Sequence, residues 1–180
     1  MKWVTRKDVH LDRVAAPWLI RRFIDREAVF EFVPAGSANG SWQGAIPFGL
    51  PNVELSAHDA AGSTFRKLLR KYDIRDAALD MIADIVEAGI AHVLSEGQPP
   101  ETGASAPSLL EGVGLEAISR GMAYLALSDS ENIAASAVIY DALYLYCQAR
   151  IIEKKDPGLG RLPFVRRVRA VRERLAAERS

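Results

Sequence analysis

The chain has 180 residues, of which 49% are hydrophobic and 26% are charged, and its formal net charge is zero. This composition predicts a globular protein with one sizeable core. No apolar stretch approaches the length of about 18 residues that crosses a bilayer, and the first residues lack the apolar segment of a signal peptide, so we expect a cytoplasmic protein without a membrane span. Cys147 is the single cysteine, which excludes an intramolecular disulfide and a cysteine-based zinc cluster.

Charge is distributed unevenly along the chain. Residues 1–27 carry seven basic and four acidic side chains, residues 28–152 carry seven and fifteen, and residues 153–180 carry nine and four. Such asymmetry steers anions or nucleic acids toward one face, although solvated surface helices produce the same pattern. A helix-breaking sequence that contains proline and glycine follows residue 155. We therefore expect a single domain over residues 1–155 and a basic helical appendage over residues 156–180.

The first third of the chain combines strands with one helix. Alternating β-branched and aromatic residues predict strands at Lys2–Arg6 and at residues 28–33, with a helix between them. Turn-forming residues are frequent from 35 to 63, so short strands and loops are expected there, one of the strands at residues 53–55.

From residue 64 onward the hydrophobic period is helical. It predicts helices at about residues 64–72, 76–94, 108–127, 130–153 and 163–178, with a loop at residues 96–107. The helices on either side of residues 128–130 are expected to pair antiparallel. An apolar seam from residue 133 to residue 151 suits either the core or a homo-oligomer interface. We therefore predict an α+β fold, in which a small N-terminal β-sheet region packs against a predominantly helical bundle.

Residues 9–25 place charged side chains in an otherwise apolar helix. These side chains are Asp12, Arg13, Arg21, Arg22 and Asp25. Buried ions must pair with each other, as Arg21 and Asp25 are spaced to do, or bind a ligand. Pro17 cannot donate a backbone hydrogen bond, so we expect the helix to begin there or to open a turn beside His10 and Asp12. Exposed amide donors beside Arg13, Arg21 and Arg22 would form an anion pocket.

A second cluster lies in the turn-rich region. Glu54 and His58 are four residues apart, and imidazole with carboxylate suits a divalent transition metal such as zinc, nickel or iron. The candidates for a third ligand are His10, Asp12, Asp84 and Glu87. The alternative is a solvated His58 that is hydrogen-bonded within a turn.

Two further features carry weaker indications. Asp141 is the only acid in the apolar run from residue 133 to residue 145, so it would pair with an N-terminal arginine or contact a substrate. The arginine-rich tail suggests contact with DNA, but no helix-turn-helix pair or zinc-finger spacing supports it. Glycine-rich nucleotide motifs and the His-Glu-x-x-His motif are absent from the sequence, so no nucleotide cofactor is expected.

Several segments resemble a known family. They are Trp3-Val-Thr-Arg6, His10-Leu-Asp-Arg-Val, Pro17-Trp-Leu-Ile-Arg-Arg-Phe-Ile-Asp25, Phe32-Val-Pro34, Val53-Glu-Leu55 with His58, Thr64-Phe65 and Tyr140-Asp-Ala-Leu-Tyr144. This set resembles the C-terminal domain of bacterial chromate-resistance proteins of the ChrB type, over about residues 2–148. The resemblance implies a role in the response to chromate. That domain often follows a regulatory or rhodanese-like region, and we expect a stand-alone version here.

The sequence departs from the family pattern at two positions. Ala16 stands where members often carry a cysteine, and Glu87 stands where they often carry a histidine. The first departure removes thiol chemistry, whereas the second still leaves a carboxylate for a metal.

The leading hypothesis is a chromate-resistance-related protein that binds a divalent metal, an oxyanion or both, between residues 9–25 and the Glu54/His58 loop. The metal ligands would be Glu54, His58 and Glu87, and the anion ligands Arg13, Arg21 and Arg22. The supporting residues would be His10, Asp12, Asp25 and Asp141. The alternatives are a chromate-responsive regulator that contacts DNA through the basic tail, and a metal-dependent enzyme of unknown substrate.

Overall fold

The computed structural model describes residues 1–37, 42, 44–95, 107–125 and 128–177, so the predicted loop lies outside the described residues except for Pro107. The strands are β1 (Lys2–Arg6), β2 (Val29–Val33) and β3 (Ala45–Pro47). The helices are α1 (Asp12–Leu19), α2 (Thr64–Lys71), α3 (Ala77–Leu94), α4 (Pro107–Tyr124), α5 (Asp129–Lys155), α6 (Pro157–Gly160) and α7 (Phe164–Ala177). A π-helical segment, Ile20–Ile24, extends α1. The predicted α+β class is confirmed.

The sheet has three parallel strands in the order β2-β1-β3. β1 is central, and its three middle residues, Trp3, Val4 and Thr5, are buried. Parallel strands need a crossover connection, which α1 and the π-helical segment supply between β1 and β2. The predicted strand at residues 53–55 was wrong, because the backbone there forms only an isolated bridge from Leu55 to Phe48.

The principal core lies between the sheet and the helices α1, α2, α3 and α5. Its largest buried side chains include Trp3, Phe48, Phe65 and Tyr140. The apolar seam of α5 faces this core, since Tyr140 and Cys147 are almost completely buried. The seam is therefore used by the chain's own core, and it gives no support to the predicted homo-oligomer.

The prediction for Pro17 was wrong. α1 begins at Asp12 and continues through Pro17 to Leu19. Its first N–H groups are satisfied by the carbonyls of His10 and Leu11, so no open turn of amide donors exists beside them. The irregular winding comes later, in the π-helical segment.

α4 packs mainly against α3, not against α5 as predicted. The two helices meet at Gly89 of α3 and Gly112 of α4. A Cβ on Gly112 would lie 2.7 Å from the carbonyl oxygen of Ile85, and a Cβ on Gly89 would lie 2.8 Å from the carbonyl oxygen of Gly112. Only glycine permits this approach of two helix backbones, which sequence periodicity does not reveal.

The C-terminal helices form a second, smaller hydrophobic cluster. Ile152 of α5, Leu159 of α6 and Val171 of α7 are its buried members. The helices α6 and α7 therefore pack on the end of α5 and contribute no buried residue to the principal core. Within the described residues, none of the helices has the length and apolar character that a membrane span requires.

Candidate functional site

The connection between β1 and α1, residues 7–11, is held in an unusual backbone conformation. Asp8 has a φ of 60° and Leu11 has a φ of 46°. Residues with a Cβ rarely adopt positive φ, and for a bulky side chain such as leucine the conformation is strained. Such strain persists where surrounding contacts enforce it, and it clusters at functional sites. This connection is therefore the first part of the candidate site.

Side chains from α4 and α5 bind the N–H groups of the connection. Asp129 accepts hydrogen bonds from the backbone N–H of Asp8 at 3.2 Å and of Val9 at 2.7 Å. Ser119 accepts one from the backbone N–H of Leu11 at 2.8 Å, and this bond is buried. Side chains of two distant helices therefore hold the strained residues in place.

Two more side chains of α5 donate to the carbonyls of the connection. Asn132 donates to the carbonyl of Val9 at 3.3 Å, and Tyr140 donates to the carbonyl of Leu11 at 3.2 Å. The partners are separated by 123 and 129 positions in sequence. Sequence reasoning missed all four of these positioning residues, because no local signal connects them with residues 7–11.

Arg13 lies where the connection enters α1. Its guanidinium donates to the carbonyls of Arg6 and Lys7, each at 3.0 Å, and to that of Asp8 at 2.8 Å. Gly49 leaves room for the Arg13 stem, because a Cβ there would lie 2.9 Å from Cγ of Arg13. Burial lowers the pKa of Arg13 to about 10, so the group stays charged at neutral pH. No carboxylate of the described residues forms a direct ion pair with it.

Asp12 is a buried carboxylate that caps α2 from outside. It accepts hydrogen bonds from the backbone N–H of Thr64 at 2.8 Å and of Phe65 at 3.0 Å. Burial raises the pKa of Asp12, and the two backbone N–H groups act in the opposite direction. The helix start favours a negative charge at this place. The role of Asp12 in the structure is therefore to join α1 to α2.

A cleft of about 150 Å³ lies beside the β1–α1 connection. Four basic side chains line it: Arg6, His10, Arg13 and His58. Asp12 is the one carboxylate among the described residues of its wall. Burial lowers the pKa of His10, whereas Glu116, whose carboxylate is 4.0 Å from its Nε2, acts to raise it. The guanidinium groups of Arg6 and Arg13 are the permanent positive charges of this lining.

The loop that carries His58 is anchored by Lys67. The Nζ atom donates to the carbonyls of Ser56 at 3.2 Å and Ala57 at 2.9 Å, and it lies 2.7 Å from the carboxylate of Asp59. The hydrogen bond from Lys67 lowers the pKa of Asp59 to about 2. This ion pair keeps His58 at the edge of the cleft.

The predicted metal ligands do not converge. Glu54 forms an ion pair with Lys71, and Glu87 accepts hydrogen bonds from Arg66 at 2.8 and 2.9 Å. Burial acts to raise the pKa of Glu87, but the hydrogen bonds from Arg66 leave it below its usual range. In the part of the chain that the structure describes, no three His, Cys, Asp or Glu side chains are grouped to hold a metal ion. His58 therefore does not share a site with Glu54 and Glu87 here.

The predicted anion ligands are also separated. Arg13 borders the cleft, whereas Arg21 and Arg22 lie in the π-helical segment at the other end of α1. Arg21 stacks on the ring of Phe30 at 4.9 Å, and Arg22 lies 3.9 Å from the carboxylate of Asp141. Both arginines are exposed, so the expectation that they lie in the interior was wrong.

The two remaining acids of the prediction lie near Arg21 and Arg22. Asp25 binds the N-terminal ammonium of Met1 at 2.5 Å, so the predicted pair with Arg21 was wrong. Asp141 accepts a hydrogen bond from the indole N–H of Trp18 at 3.0 Å. Neither acid lines the cleft at the start of α1.

Similarity to known proteins extends over the sheet, the helices α1 to α4 and most of α5. A family model described as the C-terminal domain of ChrB matches residues 3–147. The chain belongs to the ChrB C-terminal domain family. The curated Protein ChrB of Cupriavidus metallidurans is 27% identical over 146 residues, which cover 81% of this chain. The match covers 40% of that relative, so this chain corresponds to less than half of its length. None of the solved structures matches.

The ChrB match contains every residue that lines the cleft, and it leaves α6 and α7 outside. Membership of the ChrB family supports a role related to chromate resistance. Ala16, where the resemblance led us to expect a cysteine in other members, is completely buried in α1. That position does not border the cleft.

Proposed function

We propose that this ChrB domain serves chromate resistance by binding a small tetrahedral oxyanion, of the class of chromate and sulfate, in the cleft at the start of α1. The observation that carries the proposal is the gathering of four basic side chains in one cleft whose single described carboxylate, Asp12, is bonded to α2. The cleft has the volume of about five water molecules, which suffices for an anion of four oxygen atoms.

The two arginines have different roles in this proposal. The guanidinium of Arg13 already donates to three carbonyls, so it supplies mainly its charge. Arg6 is exposed and has no partner for its side chain among the described residues, so its fork of N–H donors is available for the anion. Arg6 should therefore contribute the direct contact.

His10 makes the proposed affinity dependent on pH. Burial favours the neutral form of His10, and its pKa is below the usual value of 6.5. A bound dianion favours the imidazolium form, so protons are taken up on binding. The affinity should increase as the pH falls and His10 takes up its proton.

The contacts of the acids support an anion over a metal. A centre made of Glu54, His58 and Glu87 would require the ion pairs with Lys71 and Arg66 to break. Binding of zinc, nickel or iron stays a prediction from the sequence, and so does a metal-dependent enzyme activity.

The DNA-binding alternative also stays a prediction. Three arginines of α7 have carboxylate partners in the structure, and the pairs are Arg167 with Glu153, Arg169 with Glu173, and Arg174 with Asp156. These ion pairs reduce the charge that the tail offers to phosphates.

Calorimetric titration of the protein with chromate and with sulfate at low ionic strength tests the proposal. Arg6→Gln should weaken binding about tenfold, because it removes a charge-assisted contact. The matched control is Arg75→Gln, since Arg75 is exposed and pairs locally with Asp73 away from the cleft. Sulfate keeps its double charge over the pH range used, so its affinity should rise from about pH 8 to about pH 5.5 as His10 protonates.

The proposal fails if neither anion binds at about 1 mM. It also fails if Arg6→Gln and Arg75→Gln have the same effect. A third contrary result would be an increase of sulfate affinity with pH in the wild type. His10→Gln should remove most of the pH dependence, while the affinity at about pH 8 changes little.

A further inference from the structure

A second cavity lies on the opposite side of α3, away from the oxyanion cleft. Its volume is about 760 Å³, which falls in the range of small-molecule sites in proteins. Met81 and Ile85 of α3 and Ile151 of α5 form its apolar wall, and Gly160 and Arg167 of the tail close it on another side. The C-terminal helices, which the family match does not include, therefore form one side of this cavity.

Most charged groups of this cavity already have partners. Glu153 lies 3.7 Å from Arg150 and 3.6 Å from Arg167, so it forms ion pairs with both arginines. Asp84 lies 2.5 Å from Arg66. Lys154 is exposed. Two of the acids in this wall, Asp84 and Glu153, are therefore already occupied by arginines.

Glu111 is the exception among the acids of the wall. Its Oε1 atom accepts a hydrogen bond from the hydroxyl of Tyr146 at 2.6 Å. Its Oε2 atom is buried and accepts no hydrogen bond from the described residues. A buried carboxylate oxygen without a donor costs free energy, and a partner that supplies a cationic donor would remove this cost.

We propose that this cavity binds a small organic ammonium with an apolar body. In this proposal the Glu111 side chain rotates so that Oε2 faces the cavity and contacts the ammonium, while Oε1 keeps the hydrogen bond from the hydroxyl of Tyr146. The apolar body packs on Met81, Ile85 and Ile151. Asp84 and Glu153 are already paired with arginines, so Glu111 is the acid of the wall that is left to meet the ammonium. This site is independent of the proposed oxyanion function.

Titration of the full chain with hexylammonium, hexanol and hexanoate, followed by amide shifts in NMR spectra, tests this site. Hexylammonium should bind at least about tenfold more tightly than the other two probes, and Glu111→Gln should remove this preference. The control is Glu31→Gln, because Glu31 is an exposed carboxylate of β2 that does not line the cavity. Shifts on binding should include Tyr146 and Ile151.

A second variant covers the case in which Glu111→Gln does not fold. Ala77 is exposed and borders the cavity, so Ala77→Trp should fill the entrance and block hexylammonium without disturbing the core. The proposal is overturned if the three probes bind equally or if hexylammonium does not bind at about 10 mM. Undiminished binding to a folded Glu111→Gln or Ala77→Trp protein also overturns it.

Discussion

At the scale of single residues, Asp12 is a buried carboxylate that joins α1 to the start of α2. It is 8% exposed, and both of its hydrogen bonds go to backbone N–H groups at the start of α2. A buried charge is tolerated when its oxygen atoms are fully engaged by donors. The same arrangement leaves the cleft with an excess of basic groups, because this carboxylate is directed to α2.

Replacement of Asp12 by alanine should lower the free energy of unfolding by about 3 kcal/mol, because two buried N–H groups lose their acceptor. Asp12→Asn keeps one acceptor oxygen and should cost about half as much. Urea denaturation followed by circular dichroism measures both changes. The control is Asp80→Ala in the first turn of α3, where only the helix dipole is affected and the loss should stay below about 1 kcal/mol. Equal costs at the two positions would contradict the capping role.

The sequence drew attention to residues 9–25, but it did not show which groups pair with their charged side chains. The burial of Asp12 was predicted from its apolar surroundings, but the backbone N–H groups that donate to it lie 52 and 53 positions away. Glu87 resembled a ligand until the structure placed it against Arg66, 21 positions away. Ion pairs at such separations depend on tertiary packing, which residue spacing does not encode.

At the scale of elements, the β1–α1 connection is positioned by helices from the other end of the chain. Its strained conformation is maintained by hydrogen bonds from α4 and α5. Removal of one of these bonds should cost more stability when the backbone group of the connection is left without any other partner. The N–H of Leu11 has Ser119 as its acceptor. The carbonyl of Leu11 receives the N–H groups of Val14 and Ala15 in addition to the hydroxyl of Tyr140.

Ser119→Ala should therefore destabilise the protein by about 2 kcal/mol, because it leaves a buried N–H without an acceptor. Tyr140→Phe should cost less than about 1 kcal/mol, since the carbonyl keeps two donors. Denaturant unfolding of the two variants provides the comparison. Because Tyr140→Phe keeps the ring, a larger loss in Tyr140→Phe than in Ser119→Ala would show that the hydroxyl of Tyr140, and not that of Ser119, provides the stronger hydrogen bond to the connection.

The elements themselves were predictable where their signals are local. Ser63, Asp76 and Ser128 cap α2, α3 and α5, and the predicted starts of these helices agree with the structure within about two residues. The parallel strand order, the π-helical winding and the contact of Gly89 with Gly112 were not predictable. Each of these depends on a neighbour that is distant in sequence.

At the scale of the whole molecule, two hydrophobic clusters of unequal size hold the chain together. The principal core includes buried residues from β1 and from the helices α1 to α5, whereas the C-terminal cluster has Ile152, Leu159 and Val171 as its buried members. Burial of so few side chains provides little free energy against the entropy of ordering the tail. The tail should therefore open while the principal core remains folded.

Amide hydrogen exchange should detect this opening. The N–H groups of α7 should exchange at least about tenfold faster than those buried in α3, and their exchange should depend weakly on added urea because little surface is exposed. Val171→Ala removes two methyl groups from the small cluster, so it should accelerate exchange in α7 by about tenfold and leave α3 unchanged. If α7 and α3 exchanged with the same rate and the same urea dependence, the chain would unfold as one cooperative unit. In that case the cavity between α3, α5 and the tail would be as permanent as the core, whereas separate opening of α7 would give a ligand its way in.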